Sequence, residues 1–218
     1  MLGLYVDSAD REAAEPLLGT GLFRGMTTNP TLLQRASLRS ADLPQLYRWA
    51  TAAGAGEVFF QAWGDDADEL VTCAHKLQDI GPAVVIKVPA TQEGATAAAR
   101  LVADGHRVLL TAVYRAAQGL VAAAAGAHYV APYLGRMSDA GMDGPAEVAR
   151  MHRAISAVGA TTEVMVASLR DLETVVRMTE RGISCYALAP AICQQFFAEP
   201  LTDQAVAVFE AAAREVAT

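Results

Sequence analysis

Lysine is almost missing from this chain. Of its 17 basic residues only Lys76 and Lys87 are lysines, and acidic residues outnumber the basic ones at 24, giving a net charge of -7. So acidic a balance excludes nucleic acid and anionic membrane as expected partners, because both are recognised through broad cationic faces. It leaves room for a local basic pocket that takes a small phosphate. Cysteine is scarce too. Cys73, Cys185 and Cys193 are odd in number and none is spaced as CxxC, so reduced thiols that behave as small buried hydrophobes are expected. No apolar run is long enough to span a bilayer. The opening MLGLYVDSAD lacks the basic region and apolar core of an export signal, so a cytoplasmic protein is expected. There is no GxGxxG after the first strand, no P-loop and no GxSxG elbow. His75, His106, His128 and His152 have no close ligand spacing, so neither metal nor cofactor is expected.

What is present is a repeating pattern. Short apolar runs occur at 2–7, 22–30, 57–63, 83–89, 107–113, 127–136, 162–170 and 183–190. Helical patterns lie between them. Residues 68–81 end on a glycine stop, 91–105 open on Thr91 and end on Gly105, and 145–159 open on Pro145 and end on Gly159. Strands that alternate with helices imply a parallel sheet, since each parallel crossover needs a helix. Eight such units with no Ser/Gly/Pro-rich linker predict one domain over 1–218, an α/β fold of the (β/α)8 TIM barrel type. A final helix is expected over 200–217. Its apolar stripe of Leu201, Ala205, Val208 and Ala212 fits packing either on its own barrel or on a neighbouring subunit.

In a barrel, alternate strand residues face the interior, and polar groups at the C-terminal strand ends form the usual active site. The runs end in this way. Asp7 closes the first, and Thr27, Thr28 and Asn29 close the second. Gln61, Lys87, Thr111 and Tyr133 fall late in the next four, with Arg136 just beyond, and Ser168 and Arg170 close the seventh. Val85 shares a face with Lys87, Tyr5 with Asp7, and Phe59 with Gln61. Singly these residues have ordinary uses. Asp7 and Thr28 are candidate helix caps, and Ser168 and Arg170 can open the next helix. Lys87 can pair with Asp7 or reach out to solvent. Together they form a ring around one lysine. Desolvation depresses a lysine's pKa, and a neutral amine attacks a ketone to give a Schiff base. In such a site Asp7 exchanges protons with a sugar hydroxyl, Asn29 binds hydroxyls, and Gln61, Thr111 and Tyr133 hold a water or hydroxyl for proton transfer. Arg136, Ser168 and Arg170 suit a phosphate.

The segments LYVDSAD, MTTNP, VVIKVPAT, TAVYRAAQG, AGAHYVAPYLGRMSD and VASLRD, in this order, resemble the signatures of the small transaldolase family. The resemblance is strongest to its fructose-6-phosphate aldolase branch and covers essentially the whole chain. It implies Schiff-base formation by Lys87, proton transfer by Asp7, hydroxyl binding by Asn29 and a water held by Thr111. It also implies phosphate binding by Arg136 and Ser168, with Arg170 matching a basic position of many transaldolases. Gln61 and Tyr133 stand where transaldolases generally have glutamate and phenylalanine, which resembles the aldolase branch. Gly135 before Arg136 is instead similar to transaldolases. The expected activity is therefore metal-independent aldol cleavage of fructose 6-phosphate to dihydroxyacetone and glyceraldehyde 3-phosphate. Transaldolase transfer is the alternative, and a non-catalytic sugar-phosphate-binding barrel a more distant one. The resemblance also implies a homodecamer of two stacked pentamers.

Overall fold

Each apolar run supplies one short parallel strand. The computed structural model describes residues 2–217; Met1 and Thr218, the outer limits of the expected domain, lie outside the described residues. The strands are β1 (Gly3–Asp7), β2 (Gly25–Thr27), β3 (Glu57–Gln61), β4 (Val84–Pro89), β5 (Val108–Val113), β6 (Tyr129–Pro132), β7 (Glu163–Val166) and β8 (Cys185–Leu188). Each pairs in parallel with the next, and β8 closes on β1. This is a TIM barrel, with helices between successive strands.

Several strands are shorter than their apolar runs. The run 22–30 yields only β2, because Asn29 and Pro30 already begin a helix, Pro30–Arg35. The run 127–136 ends at Pro132, and a helix over Leu134–Asp139 follows at once, so Arg136 sits on a helix. Of the run 162–170 only Glu163–Val166 is strand. In the last two runs the residues just past the strand, Leu134, Ala167 and Leu169, are apolar because they are buried, not because they continue the ladder.

Side-chain parity follows the sequence pattern. Tyr5, Phe59, Val85, Leu109, Tyr129 and Met165 pack together inside the barrel, while Val6, Val58, Val84, Ile86 and Val88 join the helix layer. Tyr5, Phe59 and Tyr129 meet edge to face, with ring centroids 5.3–6.3 Å apart. Beneath them Glu57 accepts from Tyr5 Oη at 2.5 Å and pairs with Arg107. This polar plug closes the end opposite the strand C-termini, and the interior between it and Lys87 is apolar.

The caps differ from expectation. Asp10 caps the helix Arg11–Leu18 and Asn29 caps Pro30–Arg35, so neither Asp7 nor Thr28 is a cap. The helix Leu172–Thr179 is opened by Asp171, not by Ser168 or Arg170. Releasing Asp7, Ser168 and Arg170 from these duties leaves them at the mouth. The last helix, Pro200–Val216, does not lay its stripe on its own barrel. Leu201 is 72% exposed and Val208 66%, and Phe209 beside them is 69% exposed. No helix among the described residues is long and apolar enough to cross a membrane.

Candidate active site

Lys87 lies on β4 between Val85 below and Pro89 above, and its side chain is almost wholly buried at 5% exposure. It neither reaches out to solvent nor pairs with Asp7. Its Nζ donates to the backbone carbonyl of Thr28 at 2.6 Å, and among the described residues it makes no ion pair. Burial pushes its pKa below the usual lysine value; the negative charge of Asp7 opposes that shift without cancelling it. A lysine so placed is inclined toward the neutral amine.

The pocket above it holds about 380 Å³, near the small end of ligand cavities, about 300–1,000 Å³. Asp7, Thr27, Asn29, Lys87, Tyr133, Arg136, Ser168 and Arg170 all line it. Eight of the eleven expected residues therefore converge there. Leu109, Ala131, Met165, Ala167 and Ala187 supply the apolar walls.

Three expected residues lie elsewhere. Thr28 is fully buried, and its Oγ1 donates to the Phe59 carbonyl at 2.8 Å, so its hydroxyl does not face the pocket. Its carbonyl, not its hydroxyl, receives Lys87. Thr111 is 1% exposed and lies behind the wall. Its Oγ1 shares a 2.7 Å hydrogen bond with Tyr133 Oη, in which either can donate. Gln61 pairs in register with Lys87 but lines a neighbouring groove with Leu33, Leu38 and Trp63. The alternation rule put Gln61 on the right face of its strand; it could not say which cavity the outermost residue enters.

Local backbone geometry sets the rest. Thr27 Oγ1 donates to Asp7 Oδ1 at 2.7 Å, which fixes one carboxylate oxygen. Asn29 Oδ1 accepts from Leu32 N at 3.0 Å, so its capping bond holds the side chain at the pocket wall. Ala112, at φ 58°, marks an irregularity in the β5–β6 register that interrupts the ladder beside Thr111. Tyr133 is held with its pKa raised, chiefly by burial, with the Thr111 bond working against the shift. It stays a phenol at neutral pH.

The basic side of the pocket depends on a close approach. Gly135 N donates to Ser168 O at 2.9 Å, and Leu134 N to Ala167 O at 3.1 Å. A Cβ on residue 135 would run into the Ser168 carbonyl, so only glycine lets the helix Leu134–Asp139 dock on the end of β7. Ser168 adopts a left-handed backbone, φ 61°, at a cost of about 1–3 kcal/mol. Arg136 lies over the Tyr133 ring, 4.8 Å from its centroid, and Arg170 bonds Asp139 at 2.6 Å.

Sequence reasoning missed Arg35, which lines the same pocket. Its signal was available: Thr31, Leu32 and Arg35 share one face of a single helical turn and all reach the pocket. Among the described residues no three His, Cys, Asp or Glu side chains gather as metal ligands.

A family model described as Transaldolase/Fructose-6-phosphate aldolase matches residues 4–218. A curated relative from Rhodospirillum centenum, named a probable transaldolase, is 35% identical over 210 residues, 95% of this chain and 89% of its own. Others of that name come from Phenylobacterium zucineum, 31% identical over 206 residues, and Methanococcus maripaludis, 32% over 205, each covering 94% of both chains. These relatives do not single out the aldolase branch that Gln61 and Tyr133 suggest. Among solved structures, a mandelate oxidase superposes with TM-score 0.60 at 18% identity, over 87% of this chain. The match spans 65% of the oxidase's own length and is a likeness of fold alone.

Proposed function

Because the chain belongs to the transaldolase/fructose-6-phosphate aldolase family, we propose that it moves a dihydroxyacetone unit between sugar phosphates through a Schiff base on Lys87. One observation carries this reading: a buried amine with no carboxylate partner among the described residues opens on a pocket that also contains Asp7, Arg136 and Ser168. The amine adds to the C2 carbonyl of a ketose phosphate, and loss of water gives an iminium. Asp7 takes the proton of the C4 hydroxyl while the C3–C4 electron pair moves into the iminium. The aldose phosphate departs and an enamine remains on Lys87. Addition of that enamine to the aldehyde carbon of a second aldose phosphate, with the proton returned by Asp7, reverses the sequence. Hydrolysis then frees the amine. Thr27 orients Asp7, the Thr28 carbonyl orients Lys87, and Asn29 binds a donor hydroxyl. Arg136, Ser168 and Arg170 hold the phosphate.

Transfer is favoured over release by the relatives' shared name. Aldol cleavage of fructose 6-phosphate to free dihydroxyacetone is the second reading, and the Tyr133–Thr111 pair favours it. A phenol kept protonated is a proton source for the enamine, and protonation ends in release. Gln61, unlike a glutamate, carries no proton to its neighbours. Incubation with fructose 6-phosphate alone separates the two. Little turnover until erythrose 4-phosphate is added supports transfer; steady production of free dihydroxyacetone without an acceptor reverses the choice.

The last helix extends the reading to assembly. Its exposed Leu201, Val208 and Phe209 suit contact with another copy of the chain, and a decamer of two pentamers is the expected state. Light scattering tests this; a monomer in solution would overturn it.

A further inference from the structure

Arg35 enters the Lys87 pocket from the side opposite the other two arginines. It sits on the helix Pro30–Arg35 after β2, whereas Arg136 and Arg170 follow β6 and β7 across the barrel. Arg170 is engaged with Asp139 and Arg136 lies on Tyr133. Among the described residues the Arg35 guanidinium makes no hydrogen bond, ion pair or ring contact, and it also lines an adjoining cavity that contains Asp10 and Asp42. Those carboxylates are committed to backbone N–H groups, Asp10 to Glu12 and Asp42 to Arg39. The charge of Arg35 is thus uncommitted at the rim of a pocket whose occupant is anionic.

A phosphate monoester carries about -1.5 to -2 charge at neutral pH. Arg170 is already partly neutralised by Asp139, so Arg136 with what remains of the Arg170 charge leaves the phosphate incompletely balanced. Arg35 is itself exposed, but a pocket of about 380 Å³ is only about 7 Å across, within one Debye length of about 8 Å, so its guanidinium acts on an anion inside with partial screening. We propose that Arg35 is a specificity-determining residue, a second cationic arm that selects phosphorylated over neutral sugars. This rests on reading the Lys87 pocket as a sugar-phosphate site. The rival role is structural: Arg35 is in the last turn of its helix, where a cation favours the helix dipole.

The test compares wild type with Arg35→Ala and Arg35→Lys. Four quantities are read: KM and kcat for fructose 6-phosphate, half-saturation by neutral dihydroxyacetone in borohydride trapping, and inorganic phosphate affinity by calorimetry. Arg35→Ala is expected to raise KM about tenfold or more, the scale of one lost charge-assisted hydrogen bond. It should weaken phosphate to a similar degree and leave kcat and dihydroxyacetone half-saturation near wild type, with Arg35→Lys in between. Unchanged KM and phosphate affinity overturn the proposal. So does a parallel rise in both half-saturations with a lower melting temperature, which marks the structural role. A wild type that gives no Lys87 adduct with dihydroxyacetone defeats the Schiff-base reading instead, and phosphate calorimetry still reports on Arg35.

Discussion

Lys87 Nζ lies 2.6 Å from the carbonyl oxygen of Thr28 and donates to it. A carbonyl is a partner that a neutral amine satisfies as well as an ammonium does. A carboxylate in its place would hold the proton on Lys87 and raise its pKa. The choice of partner thus keeps the nitrogen both oriented and able to lose its charge. The adjacent residue completes the arrangement, because Thr27 Oγ1 occupies an oxygen of Asp7, the nearby carboxylate.

A buried amine of this kind weakens the fold. In the native state the Lys87 pKa is lowered, so between that value and the unfolded value near 10.4 the unfolded chain binds more protons. Stability therefore rises with pH across that window. Lys87→Met removes the titration and should raise stability at neutral pH by about 1–2 kcal/mol, in the range of substitutions that trade function for stability. The gain should shrink as pH approaches 10. Thermal melts of both proteins from pH 6 to 10 check the sign; a loss of stability at neutral pH would mean that the Thr28 bond outweighs the desolvation of the amine.

On the proposed mechanism the Tyr133–Thr111 hydroxyl pair supplies the proton to the enamine. Tyr133→Phe removes it and should slow release of free dihydroxyacetone by about 100-fold or more, the scale of general acid catalysis. Transfer to erythrose 4-phosphate should fall far less, since that route needs no proton on the enamine carbon. The ratio of the two activities, measured on one preparation, is the readout, and equal losses in both would assign Tyr133 to substrate positioning.

Gly135→Ala places a methyl group against the Ser168 carbonyl and must push the helix Leu134–Asp139 away from β7. Overpacking of this kind costs about 1–3 kcal/mol. Arg136 and Ser168 would separate, so KM for fructose 6-phosphate should rise while trapping of neutral dihydroxyacetone on Lys87 is kept. Steady-state kinetics with a thermal melt check both halves.

Much of this arrangement was legible in the residues. The eight strand-and-helix units and the inward parity of Tyr5, Phe59 and Val85 followed from periodicity, and Lys87 stood out as a charge inside an apolar strand. Gly135 is a residue whose reason appeared only in three dimensions, because the carbonyl it must clear belongs to Ser168, 33 positions away. The Thr28 hydroxyl turns to the Phe59 carbonyl, and the atom that meets Lys87 is a backbone oxygen, which residue type does not reveal. Thr111 is buried and meets the Tyr133 hydroxyl, and a hydroxyl so placed looks the same in sequence as one that touches substrate. Gln61 shows the limit of alternation: register with Lys87 does not fix which of two adjoining cavities a strand-end side chain enters. The Asn29-Pro30 pair was the clearest missed signal, since proline at the first helical position marks the preceding asparagine as the cap.

The most direct measurement is borohydride reduction of the protein in the presence of dihydroxyacetone or fructose 6-phosphate, followed by peptide mass analysis. Reduction should fix the three-carbon unit on the peptide carrying Lys87, leave the peptide carrying the exposed Lys76 unmodified, and give no adduct in Lys87→Met. An unmodified Lys87, or equal labelling of Lys76 and Lys87, would contradict a Schiff base at this site.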